Sequence, residues 1–280
     1  MFRRLLSELR LPMFGTTDTN GKVIDLKATF NPSPEKLCLA VKAVFLALNI
    51  SAVVNSVWVE EPIKVFWLSF LTHWGAMLST LYLISSFLVF LLVRSFPQET
   101  SSRSVNVAWG LFTTAINIEL FVTILYWTLV YEKGEVLKFR AIYEHAILLF
   151  VVGLDGYIIH RIPIRWKQIV LVYIVLISFL IWTGIHAVSG IGNPAKSDSD
   201  PETDDDALYG SLNWNERPQG SAILATCLII VAVPAMFLLT WSVSICIPRR
   251  YSSDKDTDQQ SGSESGDDAK NDTGSEEEEV

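Results

Sequence analysis

Six apolar runs, near residues 37–58, 65–93, 105–131, 141–159, 167–188 and 221–247, dominate this chain. Each is close to or above the roughly 20 residues that an α-helix needs to cross the hydrocarbon of a bilayer. Lipid offers no partner to backbone amides and carbonyls, so a crossing segment must satisfy them internally, as a helix does. The expected fold is therefore all-α, a polytopic membrane helical bundle with about six transmembrane helices. Composition agrees, with 50% hydrophobic residues among 280 and a mean hydropathy of +0.34, a balance unusual for a soluble domain.

The flanks divide the rest. Residues 1–35 read as a cytoplasmic N-terminal segment with a short amphipathic helix. Phe2, Leu5, Leu6 and Leu9 share one face of it, and Arg3, Arg4, Ser7, Glu8 and Arg10 the other, a pattern suited to lying on a membrane surface. Phe14 to Pro34 reads as a solvated lead-in. Residues 36–248 hold the six spans, with an exposed acidic loop at 189–220. Residues 249–280 contain almost no apolar side chain and cannot offset their ordering entropy, so a disordered acidic tail is expected.

The net charge of -8 comes from acids gathered in that loop and tail. No basic stripe exists for a nucleic acid to follow, which excludes that class of partner. The bilayer is the partner that composition implies. Lys and Arg beside the spans favour both termini in the cytoplasm, which puts Arg94, Arg103, Arg161, Arg165, Lys167, Arg249 and Arg250 on that side. His160 with Arg161, Arg165 and Lys167 then makes a basic cytoplasmic turn. Trp58, Trp67, Trp127, Trp166 and Trp182 lie near span ends, where aromatic belts settle at the headgroups. Cys38, Cys227 and Cys246 are too scattered for a disulfide framework or a metal site. P-loop, dinucleotide, HExxH and CxxC patterns are missing, so no metal and no cofactor is expected.

Polar groups within a span are costly unless they face the bundle interior, and each is a candidate for function. The second span places Thr72, Ser79 and Ser86 at heptad spacing, with Gly75 and Ala76 alongside, a seam for close helix packing. In the third, Glu119, Thr123 and Tyr126 share a face, with Asn117 nearby. In the fourth, Glu144, His145 and Asp155 share an inward arc with Leu148, Val152 and Ile159, leaving Phe150, Leu154, Tyr157 and Ile158 on the opposite face. The outer half thus gathers Thr72, Tyr126, Glu144, His145 and His186, and the inner half keeps little beyond Asp155. A hydroxyl beside an imidazole oriented by a carboxylate is the minimal equipment for nucleophilic attack on an ester. Thr72, His145 and either Glu144 or Glu119 fill those roles. The same groups also suit a buried network that sets helix register.

The landmarks Phe70-Leu71-Thr72-His73-Trp74-Gly75, Tyr126-Trp127, His145 followed by Leu154-Asp155, Arg161-Ile162-Pro163, and Leu208-Tyr209 through Leu212-Asn213-Trp214 carry a resemblance over residues 36–248. In their order they resemble the Rolling stone membrane proteins and, more distantly, the androgen-induced threonine hydrolases. The resemblance implies six helices and, from the hydrolase branch, an intramembrane Thr and His pair that cleaves fatty-acid esters of hydroxy fatty acids. Thr72 and His145 match that pair. Leu148, Gly210 and Asn213 depart from residues usual in the Rolling stone pattern, and that branch is associated with myoblast fusion. Three classes of function follow. The first is an intramembrane lipid-ester hydrolase, and the second a non-enzymatic protein of adhesion, fusion or scaffolding. The third, ranked last, is a transporter using Glu119, Glu144, His145 and Asp155 as a relay.

Overall fold

The computed structural model describes residues 6–18, 20–60, 64–96, 99–131, 138–189 and 207–251. They form an all-α polytopic bundle with six helices long and apolar enough to span a membrane. These are α1 (Glu35–Trp58), α2 (Leu71–Ser95), α3 (Ser102–Val130), α4 (Phe139–Ile159), α5 (Trp166–Ser189) and α6 (Pro218–Cys246). The second apolar run is not helical from its start. A 3-10 turn, Lys64–Ser69, occupies its first residues ahead of the α-helix, and Phe70 in an extended conformation separates the turn from α2. The acidic tail after Tyr251, loop residues 190–206 and the first five residues of the amphipathic segment lie outside the described residues.

Helix α3 is the axis of the bundle. Its Ala108, Trp109, Phe112, Ala115 and Ile118 are fully buried, and it lies against α2, α4, α5 and α6. Lipid tails are as apolar as leucine, so packing of this kind depends on small residues and polar contacts rather than on a hydrophobic drive. Gly156 of α4 illustrates it, because a Cβ there would lie 1.9 Å from the Phe112 ring. Gly75 of α2 likewise admits the Glu119 carboxyl, whose Oε1 would stand 2.9 Å from an added Cβ. On the outside, Phe150, Leu154, Ile158, Ile223 and Ile230 are exposed, as lipid-facing residues should be.

Three π-helical turns interrupt α3 and α4, at Tyr126–Val130, Tyr143–Ile147 and Leu154–Ile159. Such turns widen the coil and re-aim side chains. Tyr157, which regular α periodicity sets opposite the inward arc on a face suited to lipid or to apolar packing, is buried, and its hydroxyl donates to the Thr240 carbonyl at 2.9 Å. Just past the end of α4, Arg161 takes a φ of 56° that lets the Ile162 amide reach back to the Gly156 carbonyl at 2.8 Å, satisfying an orphan acceptor.

The segment before α1 is not a solvated lead-in. Phe14 meets Trp109 edge to face, Phe30 and Ile24 are buried, and the Asp25 amide donates to the Arg250 carbonyl beside the Ile24–Tyr251 bridge. Arg165, buried before α5, donates to Glu8 Oε1 at 3.1 Å and to the carbonyls of Gly15 and Thr17. These apolar anchors and this ion pair were hidden among Thr, Asn and Pro. Residues 24–25 and 250–251 therefore meet at one end of the bundle, called here the terminal end. At the far end, Ala207, Leu208, Leu212 and Asn213 of the acidic loop are buried rather than exposed.

Candidate active site

Thr72, Ser79 and Ser86 form a rail along α2, and each hydroxyl is bonded to another helix. At the far end, Thr72 Oγ1 lies 3.2 Å from His145 Nε2 of α4. Midway, Ser79 donates to Glu119 Oε1 of α3 at 2.7 Å. Toward the terminal end, Ser86 donates to Asp155 Oδ2 at 2.9 Å. The heptad spacing keeps all three on the face that α3 and α4 cover.

Thr72 is the second residue of α2, and the start of that helix is firmly held. His73 Nδ1 donates to the Trp67 carbonyl, its ring stacks on Trp67 at 4.2 Å, and Trp67 Nε1 donates to Ser56 Oγ at 2.8 Å. Trp67 is thus a buried anchor for Thr72 rather than a belt residue at the headgroups. Trp166, packed edge-on against Phe237 and Trp241, is another that turns inward, whereas Trp58 is exposed.

His145 occupies the π turn Tyr143–Ile147. Its Nδ1 donates to the Ala141 carbonyl at 2.8 Å, which leaves the Nε2 lone pair facing the Thr72 hydroxyl. Tyr126 stacks on the imidazole with centroids 3.5 Å apart and planes 13° from parallel, and Trp127 Nε1 donates to the His145 carbonyl at 2.9 Å. Ring position and tautomer are therefore set from two sides. The place at Nδ1 proposed for Glu144 or Glu119 is held by a backbone carbonyl. Glu144 is buried and lies 3.8 Å from Arg140. Glu119 lies deeper, bonded to Ser79, with its second oxygen unpartnered among the described residues.

Tyr209 of the acidic loop completes the far-end cluster. Its hydroxyl accepts the Leu71 amide at 3.1 Å and interacts with the Thr72 side chain. Its ring is flanked edge-on by Phe70 at 5.9 Å and Phe179 at 6.3 Å. The ring is half-buried but the hydroxyl points inward, and burial pushes that phenol up to about 12. Trp214 Nε1 donates to Thr183 Oγ1 at 3.1 Å, and Asn215 to the Ala187 carbonyl, which pins the loop to the end of α5. His186 lies beside Phe66 in this same region.

The terminal half is richer than the sequence suggested. Lys42 Nζ donates to Ser86 Oγ at 2.6 Å, to Asp155 Oδ1 at 2.8 Å and to His160 Nε2 at 2.8 Å. Tyr82 donates to Asp155 Oδ2 at 2.6 Å, and His160 Nδ1 donates to the Thr29 carbonyl at 3.1 Å. All three ammonium hydrogens of Lys42 are used, so the ion pair is fully satisfied where water does not reach. Lys42 was missed in the sequence. Its signal was plain, a lone cation about one and a half turns into the first apolar run. His160 and Arg165, expected in a basic surface turn, are both buried in such pairings. The four groups of the relay reading fall apart accordingly: Asp155 belongs to Lys42, Glu119 to Ser79, His145 to Thr72, and Glu144 lies beside Arg140.

Comparison with protein-family models, with curated proteins and with solved structures finds no match to this chain.

Proposed function

We propose that this integral membrane protein is a lipid-ester hydrolase acting within the bilayer, with Thr72 as nucleophile and His145 as general base. The observation that carries this reading is the 3.2 Å approach of Thr72 Oγ1 to an imidazole nitrogen whose ring partner is already occupied. In attack on a fatty-acid ester, Thr72 Oγ bonds to the carbonyl carbon as its proton passes to His145 Nε2. That proton then goes to the leaving alkoxide; water, deprotonated by the same imidazole, attacks the acyl-Thr72 carbonyl, and the imidazolium returns the proton to Thr72 Oγ as the Oγ–C bond breaks and the acid leaves. The likeness to Rolling stone proteins and the threonine hydrolases, on the motifs quoted above, supports the same pair. Purified protein should hydrolyse a fatty-acid ester of a hydroxy fatty acid. Thr72→Ala and His145→Ala should each lower turnover by about 10³-fold or more with thermal unfolding little changed. Undiminished turnover in folded Thr72→Ala overturns the proposal.

A non-enzymatic role in adhesion, fusion or scaffolding is the competing reading. It draws on the Ser79–Glu119 and Ser86–Asp155 bonds, which tie helices together without any nucleophile. Under it, Thr72→Val and His145→Leu change stability but leave the cellular phenotype intact, and wild type hydrolyses no ester.

A further inference from the structure

Attack on an ester carbonyl places a full negative charge on the former carbonyl oxygen, next to the nucleophile and away from the base. Donors aimed at that point are commonly the largest single contribution to the rate. His145 approaches the Thr72 hydroxyl from α4, and the Tyr209 hydroxyl approaches it from the loop before α6. Tyr209 Oη already accepts the Leu71 amide at 3.1 Å. That bond fills a lone pair, and with the Thr72 hydrogen directed at His145 the phenolic hydrogen is the one that faces Thr72 Oγ1, beside the point where the oxyanion forms. The hydrogen-bonded amide also polarises the phenol, which strengthens it as a donor. Phe70 and Phe179 hold the ring edge-on from two sides, so only the phenolic hydrogen turns, from Thr72 Oγ1 to the adjacent oxyanion, when charge develops. The cluster stands at the amino end of α2, where the helix dipole favours negative charge.

We infer that Tyr209 is a catalytic residue of this site, its phenolic hydrogen donating to the oxyanion formed when Thr72 attacks an ester carbonyl. The inference rests on the hydrolase reading. The carbonyl π pair moves onto oxygen as the Thr72 Oγ–C bond forms and the Thr72 proton goes to His145. Tyr209 keeps its own proton throughout, and the hydrogen bond relaxes when the C=O bond re-forms and the alkoxide leaves. A phenol that loses its proton only near pH 12 suits this part, being a donor across the whole working range.

The test is Tyr209→Phe, which keeps the ring and its aromatic neighbours, assayed beside Thr72→Ala on the same lipid ester. The inference predicts a kcat lowered about 10²–10³-fold with KM changed less than about threefold and an unfolding midpoint close to wild type. A folded Tyr209→Phe with kcat within about threefold of wild type overturns it. So does a raised KM at unchanged kcat, which would make Tyr209 a binding-site wall. Full activity in Thr72→Ala overturns the hydrolase reading itself and is distinguishable from either. A reading that needs no variant is the thionoester analogue, since sulfur accepts hydrogen bonds poorly. Wild type should turn it over about 10²-fold more slowly than the ester, and equal turnover contradicts an oxyanion donor of this kind.

Discussion

His145 is oriented by a main-chain carbonyl, and this separates its neighbours into those that matter for its tautomer and those that do not. Glu144→Gln and Glu119→Gln each leave the Ala141 bond untouched, so both should keep ester hydrolysis within about tenfold of wild type. A larger loss in kcat would show that a carboxylate acts on the imidazole after all. Thr72 and His145 were legible in the sequence because helical rise and span direction assign each residue a depth, and these two share one. The partner of Nδ1 was not, because a backbone carbonyl carries no residue signature. Tyr209 was legible only as part of a motif. Its place beside Thr72 depends on how a long loop folds back, which local pattern does not encode.

The elements are tied together by buried polar bonds as much as by apolar fit. Lys42 of α1, Ser86 and Tyr82 of α2, and Asp155 of α4 form one network. Removing one charge strands the other, so Lys42→Met should cost about 3–5 kcal/mol of stability. Lys42→Met with Asp155→Leu should cost less than the sum of the two single changes, as measured by unfolding in detergent. Strict additivity would mean that the pair does not couple. Gly156→Ala should also be severely destabilising, because its methyl would meet the buried Phe112 ring and neither helix has slack there. Retention of a wild-type unfolding midpoint in that variant would place Phe112 elsewhere. At this scale the sequence served well for the six spans and less well for α4. The π turn Leu154–Ile159 carries Tyr157 away from the face that a regular α-helix predicts.

Across the whole molecule, the segment before α1 closes the terminal end of the bundle, held by the buried Arg165–Glu8 pair and by Asp18. Burial works against the charge on Asp18, but the Lys22 and Asn20 amides and the Tyr251 hydroxyl overcome it and hold the carboxyl below its usual range. A depressed carboxyl stabilises the fold above its unfolded value, and the contribution is lost as pH falls through the folded one. Residues 6–30 should therefore stay protected from hydrogen exchange at neutral pH and loosen under acid conditions. Asp18→Asn should remove that pH dependence; persistence of the acid loosening in the variant would assign it to another group. That closure escaped the sequence because Phe14, Ile24 and Phe30 are isolated among turn-forming residues, with no periodicity to mark them.

Whether the far end of the bundle is a catalytic centre or a packing motif is decided by a covalent ester analogue. Wild-type protein treated with a lipid phosphonate should carry a single adduct on Thr72 by peptide mass spectrometry. His145→Ala should slow that labelling by orders of magnitude while the helices stay folded. No adduct at Thr72, or labelling that proceeds unchanged without His145, would contradict a catalytic centre there.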